Sequence, residues 1–259
     1  MRYKIRCAKS RSIYHFGSSI IKKFVYLALV LLALVLVFLT LSDTTRVALF
    51  GEVYSEVSTN KKLVALTFDD GPMPEYTDAI LTILRDHGVK ATFFLVGDAI
   101  EKHPAEARSI VAAQHEIGNH SYHHKPMVFM GCETLAREIE ATDTLIKNAG
   151  YGKTPTFRPP YGLKFWSLSR YLAQQNRQTI LATIAPDSTL ANKASAAKMV
   201  DYVKQKIQPG SIILLHVMFA SREESLKSVA GIIQTLQAQD YRFVTVSELL
   251  KAQSGASVD

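Results

Sequence analysis

From Lys61 onward the chain alternates short, continuously apolar runs with longer stretches of amphipathic helical period. Leu63–Phe68 reads as a strand, followed by a helix over Thr77–His87 closed by Gly88; Ala91–Val96 is a second strand and Pro104–Gln114 a second helix. Glu133–Asn148 is a long helix ended by Gly150. Further strands are expected at Thr156–Arg158, Thr179–Ile184, Ser211–His216 and Tyr241–Val246, with helices at Ser195–Lys206 and Glu223–Gln239 between them. Strands that are apolar throughout, rather than alternating with polar residues, are buried on both faces. The pattern predicts an α/β fold with a largely parallel sheet. Roughly 200 residues is slightly short for a complete eightfold barrel of about 250. No internal repeat or low-complexity segment interrupts the pattern.

Ahead of this region lies Phe24–Leu41, apolar throughout except for Tyr26 and Thr40. As a helix it is about 27 Å long, close to a hydrocarbon core of about 30 Å. It has none of the periodic polar positions of a soluble helix. A cleaved secretory signal would have a shorter apolar stretch and a small-residue cleavage site, which Leu41–Thr45 does not offer. The expected reading is therefore an uncleaved transmembrane signal anchor.

Charge agrees with that topology. The formal charge is +7, but residues 1–23 carry seven of the 30 basic side chains and no acid; the other 23 balance 23 acids. The basicity belongs to the arm, so it supports no nucleic-acid partner for the domain, and it places residues 1–23 in the cytoplasm. The expected organisation is a basic cytoplasmic arm (1–23), an anchor (24–41), a juxtamembrane linker (42–60), a catalytic domain (61–251) outside the cytoplasm, periplasmic or extracellular, and a flexible tail (252–259). Cys7 and Cys132 would then face opposite sides of the membrane, which excludes a disulfide between them. Cys132 reads as an inert thiol at a helix start.

Polar side chains stand at the ends of several apolar strands: Asp69-Asp70, His120, Arg158 and His216. Strand C-termini form the active face of parallel α/β folds. Adjacent carboxylates at Asp69 and Asp70 repel one another unless a cation or a proton separates their roles. They could equally be two solvated acids at a turn. His120 and His124 are spaced i, i+4, which puts both on one face if the segment is helical, an arrangement suited to zinc. Surface helices also produce that spacing by chance. Two histidines and one carboxylate make a catalytic metal set with room for water, not a closed structural one. His87, His103, His115 and His123 read as bystanders. In Arg158-Pro159-Pro160-Tyr161-Gly162 the prolines stiffen the loop, for a functional purpose or simply as a rigid turn. His216, taken alone, would be a core histidine.

The order TFDDGP, HSYHH, RPPYG, LLH and FVTVSELL, spanning about Leu63 to Leu250, resembles the polysaccharide deacetylase family (the NodB-homology domain, carbohydrate esterase family 4). The resemblance implies a distorted, incomplete (β/α) barrel and metal-dependent removal of acetyl groups from an N-acetylated glycan such as peptidoglycan, a chitin-like polymer or poly-N-acetylglucosamine. It implies Asp69 as general base and Asp70, His120 and His124 as ligands of a divalent metal, zinc first, with cobalt or another ion possible. Arg158 would orient the base, the Tyr161 backbone N–H would hold the oxyanion, and His216 would be the general acid.

Two departures concern the groove wall. Between RPPYG and LLH the family often carries an acid and a tryptophan; here Leu181–Ser188 contains Asp187 but no tryptophan, and the single Trp166 lies elsewhere. Asp187 either pairs with His216 or caps the next helix. The aspartate that usually follows LLH is replaced by Val217-Met218. Other functions on this scaffold are O-acetyl ester deacetylation, hydrolysis of a small cyclic amide, and non-catalytic glycan binding. Oligomeric state is not legible in the sequence.

Overall fold

The computed structural model describes residues 14–43, with side chains for 21–36, together with residues 50–190 and 194–253. The chain divides into two units, Met1–Thr44 and Thr45–Asp259. In the first, helix α1 spans Tyr14–Asp43. All of its described side chains are exposed, among them Phe24 at 68% and Leu34 at 61%. Among the described residues no helix is long and apolar enough to cross a membrane. The structure therefore gives the expected anchor at 24–41 no support; side chains 37–41, which complete that run, lie outside the described residues, as do residues 1–13 of the basic arm.

The second unit runs β1 (Val53–Tyr54), β2 (Leu63–Asp69), α2 (Pro74–Asp86), β3 (Thr92–Leu95), α3 (Gly97–Lys102), α4 (Pro104–Ala112), β4 (Glu116–Asn119), α5 (Cys132–Asn148), α6 (Trp166–Gln174), β5 (Thr179–Ile180), α7 (Pro186–Thr189), α8 (Ala196–Lys206), β6 (Ile212–His216), α9 (Glu223–Gln237), β7 (Arg242–Val244) and α10 (Val246–Gln253). Prolines open α2, α4 and α7, where a missing N–H costs nothing and the fixed φ suits the first helical residue.

Every strand pair in the sheets is parallel. β2 is the hub. Along one edge it pairs with β6 over Ala65–Asp69. Its other edge is shared: Leu63–Ala65 pairs with β7, and Thr67–Asp69 with β3. β4 extends the sheet beyond β3, and single parallel bridges continue it from Asn119 to Phe157 to Thr179, with another from Ile184 to Ile213 on β6. These bridges curl the parallel strands round toward β6, and the chemistry-bearing residues sit at the strand ends. Phe68, Phe93, Ile117 and Leu215 fill the main core between the sheet and α2, α4 and α9.

Several strands are shorter than the apolar runs predict. Thr156–Arg158 contributes only the Phe157 bridge, because Pro155, Pro159 and Pro160 remove the donors a ladder needs. Tyr241–Val246 stops as a strand at Val244. There a capping box takes over: Glu248 accepts from the Thr245 backbone N–H at 2.7 Å while Thr245 Oγ1 accepts from the Glu248 N–H at 3.4 Å, opening α10. Strand β4 escaped the sequence reading because two of its four residues, Glu116 and Asn119, are polar yet buried. Glu116 accepts hydrogen bonds from Thr92 and Ser247.

The linker expected over 42–60 is partly built into the domain. β1 pairs with β5, Val57 is 2% exposed, and its N–H donates to the Gly210 carbonyl at 2.9 Å. Gly210 has φ +84°, and a Cβ there would collide with the Val57 carbonyl, so only glycine admits this strap. At the other end α10 carries the chain to Gln253 with Ala252 buried, inside the expected tail; 254–259 lie outside the described residues.

Candidate active site

β2 is buried along all seven residues and delivers Asp69 to its C-terminal end. Asp69 Oδ1 accepts from Arg158 Nη1 at 2.6 Å. The same nitrogen donates to Thr67 Oγ1 at 2.8 Å, Nε and Nη2 donate to the carbonyls of Ile180 and Leu181, and the guanidinium lies 4.0 Å over the Phe94 ring. Arg158 is itself buried. Burial lowers its pKa while Asp69 opposes the shift. A charge this enclosed needs its carboxylate, and the carboxylate is thereby held in one orientation.

At Asp70 the backbone turns to φ +71°. Ligand atoms of Asp70, His120 and His124 all lie within 4.8 Å of one another. His124 Nε2 is 3.3 Å, and His120 Nε2 3.9 Å, from Asp70 Oδ1. His120 Nδ1 lies 2.6 Å from the Arg158 carbonyl. A carbonyl only accepts, so Nδ1 carries the proton and Nε2 presents its lone pair to the cluster. Burial, partly offset by Asp69 and Asp70, lowers the His120 pKa and favours the neutral, ligating ring. The donor set fits a borderline divalent cation, with a carbonyl orienting one imidazole from behind.

The two histidines do not share a helix face. Residues 120–124 form an irregular loop in which Ser121 (φ +66°) and His124 (φ +53°) are left-handed. The loop is fixed from α5. Glu138, buried on the inner face of that helix, accepts the N–H groups of Tyr122 and His123 at 3.1 and 2.9 Å and pairs with the His123 ring at 2.6 Å. Asn119 Oδ1 accepts from the Ser121 N–H, and Ser121 Oγ from the His124 N–H. None of Glu138, Asn119, Ser121 or Thr67 was singled out from the sequence. The available signal was an acid at position 138 among the buried positions 135, 139, 142 and 146 of α5.

Next to Asp69 in strand register stands His216, and Asp187 lies against it. Asp187 Oδ2 accepts from the His216 backbone N–H at 2.7 Å and lies 3.3 Å from His216 Nδ1; Ser225 and Ser188 also donate to this carboxylate. Asp187 is therefore the partner of His216, although it also sits in the first turn of α7. Burial pulls the His216 pKa down, but the Asp187 hydrogen bond and the charges of Asp69, Asp187 and Asp70 outweigh it, and the net shift is upward. For Asp187, burial raises the pKa and the contacts with His216 and Arg222 overcome it, leaving it lowered. The imidazolium–carboxylate form is favoured. Tyr161 is left-handed at φ +59°, with its exposed ring 4.9 Å from that of His124.

Among the other histidines, His115 is buried with its pKa lowered to about 4 by burial and Lys90, and His87 lies against the Ile83 carbonyl. Trp166 opens α6, packs on Phe50 and takes no part in the site. Cys132 is exposed at the start of α5. A cavity of about 270 Å³ opens beside the triad, with Asp70 and His124 in its wall. Two larger cavities, about 610 and 450 Å³, contain none of the strand-end residues.

Comparison with known proteins gives the same picture. A family model described as polysaccharide deacetylase matches residues 56–180. A peptidoglycan-N-acetylglucosamine deacetylase of Bacillus cereus is 34% identical over 202 residues, covering 78% of this chain and 94% of the relative. The crystal structure of a peptidoglycan N-acetylglucosamine deacetylase bound to 4-naphthalen-1-yl-N-oxidanyl-benzamide superposes with a TM-score of 0.72 at 32% identity, covering 76% of this chain and 91% of that one. A Bacillus anthracis protein described as a CE4 family pseudoenzyme superposes with a TM-score of 0.70 at 30% identity, covering 78% and 69%.

Proposed function

The chain belongs to the polysaccharide deacetylase family, and from that premise we propose that it hydrolyses the acetamide groups of an N-acetylated glycan, peptidoglycan first among the candidates, and releases acetate. One observation carries the reading. At one end of the parallel strands the cation triad, an arginine-bound carboxylate and an aspartate-backed histidine converge. Because an inactive relative has the same fold, the occupied positions argue for activity and the fold alone does not.

Asp70, His120 and His124 would hold the cation, zinc first by their donor chemistry. Bound there, it supplies Lewis-acid polarisation of an amide carbonyl and acidifies water toward a pKa of about 7. Asp69, oriented by Arg158, takes the proton of the attacking water. The Tyr161 backbone N–H donates to the oxygen on which charge develops, a contribution of about 3–4 kcal/mol for a well-placed donor. His216, protonated and backed by Asp187, gives its proton to the departing nitrogen, and acetate and a free amine result.

Acetate release from N-acetylglucosamine oligomers tests this directly. Wild-type protein should be active, chelator should abolish the activity, and Asp69→Asn should lower it by about 10²–10⁴-fold. An Asp69→Asn protein as active as wild type, or chelator-insensitive release, overturns the mechanism. An O-acetylated xylan in the same assay distinguishes ester from amide specificity.

We also propose that residues 24–41 hold the protein at a membrane with the domain on the extracytoplasmic side. Support comes from the sequence, in the basic arm and the acid-free apolar run. A reporter fused after Asp259 should be active only outside the cytoplasm; cytoplasmic activity refutes this topology.

A further inference from the structure

Asn119 closes β4, is fully buried, and stands immediately before His120. Every polar atom of its side chain is engaged. Nδ2 donates to the Ile139 carbonyl at 2.8 Å and to Asp143 Oδ1 at 2.7 Å, both on α5, while Oδ1 accepts from the Ser121 N–H at 2.8 Å. Carbonyls and carboxylates only accept and a backbone N–H only donates, so one orientation of the amide satisfies all three contacts. A turned amide would set Nδ2 against the Ser121 N–H and release the left-handed turn that leads from His120 to His124. The Asn119 carbonyl also accepts from the Arg158 N–H at 3.0 Å, and the Arg158 carbonyl is the group that orients His120.

The Asp143 carboxylate is itself gripped from another element. Arg177 lies in the connection between α6 and β5, where its backbone N–H donates to the Leu172 carbonyl of α6 at 2.9 Å. Its Nη1 donates to Asp143 Oδ1 at 3.0 Å and its Nη2 to Oδ2 at 2.5 Å. The arginine side chain is 9% exposed and the aspartate 23%, so the carboxylate has solvent within reach and the two-pronged contact holds it inward. Oδ1 is shared between the guanidinium and the Asn119 amide. A continuous set of hydrogen bonds therefore reaches a cation ligand from outside the loop: Arg177 to Asp143, Asn119 to Asp143, the Ser121 N–H to Asn119, and the His124 N–H to Ser121 Oγ.

We propose that Asp143 and Arg177 are positioning residues of the cation site, acting through the Asn119 amide to hold His120 and His124 at their ligating separation. The inference rests on the reading of Asp70, His120 and His124 as a cation site. It makes the α6–β5 connection, which carries none of the strand-end residues, a support of that site.

The test is the zinc affinity of the full-length metal-free protein, measured by competition with a chromophoric chelator, alongside thermal melting of the metal-free forms. Arg177→Met and Asp143→Asn should each weaken zinc binding about tenfold, the low end for residues that orient metal ligands. The double variant should be no weaker than Asp143→Asn alone, because Arg177 acts only through that carboxylate. A role in folding alone would lower the metal-free Tm and leave the zinc affinity of the folded protein unchanged. That result, or losses that add in the double variant, overturns the proposal. If melting shows Asp143→Asn to be unfolded, Arg177→Met decides the matter by the same affinity measurement. Wild-type protein that binds no zinc would overturn the cation reading and this proposal with it, an outcome distinct from variants that bind zinc as tightly as wild type.

Discussion

Asp187 and His216 form the pair whose titration can be followed. The upward shift of His216 keeps its ring protonated above the ordinary imidazole value of 6.5. The alkaline limb of kcat/KM should accordingly lie above that value, and Asp187→Asn should move it to lower pH while reducing kcat/KM at pH 8; a pH–rate profile of each protein decides this. The pair also contributes stability with a definite sign. The His216 part is fully present below the unfolded pKa and is lost as pH rises through the folded one; the Asp187 part is present above its unfolded pKa and is lost as pH falls through the folded one. Arg158 is the other decisive residue. Lys cannot reproduce its contacts to Asp69, Thr67, Ile180 and Leu181 together, so Arg158→Lys should cost about 3 kcal/mol by chemical denaturation and most of the activity.

At the scale of elements, α5 acts as the mount for the cation loop. Glu138→Gln keeps the volume but weakens the three contacts to Tyr122 and His123, and it should reduce zinc affinity 10–100-fold in a chelator competition while shifting Tm by only a few degrees. Unchanged affinity would show that the loop supports itself. This element also marks how far the sequence could be read. Asp69, Asp70, His120, Arg158 and His216 were legible because a polar residue closing an apolar strand is conspicuous. The conformation of 120–124 was not: i, i+4 spacing suggests a helix, and only the tertiary clamp from α5 favours the left-handed loop instead. The partner of His216 was legible as a residue type but not as a contact, because Asp187 lies 29 positions away and capping a helix was an equal use for it. Strand ends failed where proline or a capping box competed with the apolar pattern.

For the molecule as a whole, the boundary of the folded unit lies upstream of the point where the apolar pattern begins. A protein beginning at Lys61 loses the β1–β5 pairing and the buried Val57, and it should be less stable than one beginning at Thr45 by about 2–3 kcal/mol from that side chain alone. Urea midpoints of the two proteins measure the difference. Zinc at a hundredfold excess over its Kd should add about 2.7 kcal/mol, seen as a rise in Tm that chelator reverses. The way the sheet is closed has a consequence for descent. Between Phe157 and β6 the strands meet only through single bridges, and Arg158 spans that gap by joining β2 to the carbonyls of Ile180 and Leu181. One side chain thus serves as a strut and as a guide for the base. A lineage that gave up hydrolysis could discard the partly exposed His124 with little structural penalty, but it would remain bound to the arginine. In a descendant that has lost its chemistry, Arg158 should be the last of these residues to change.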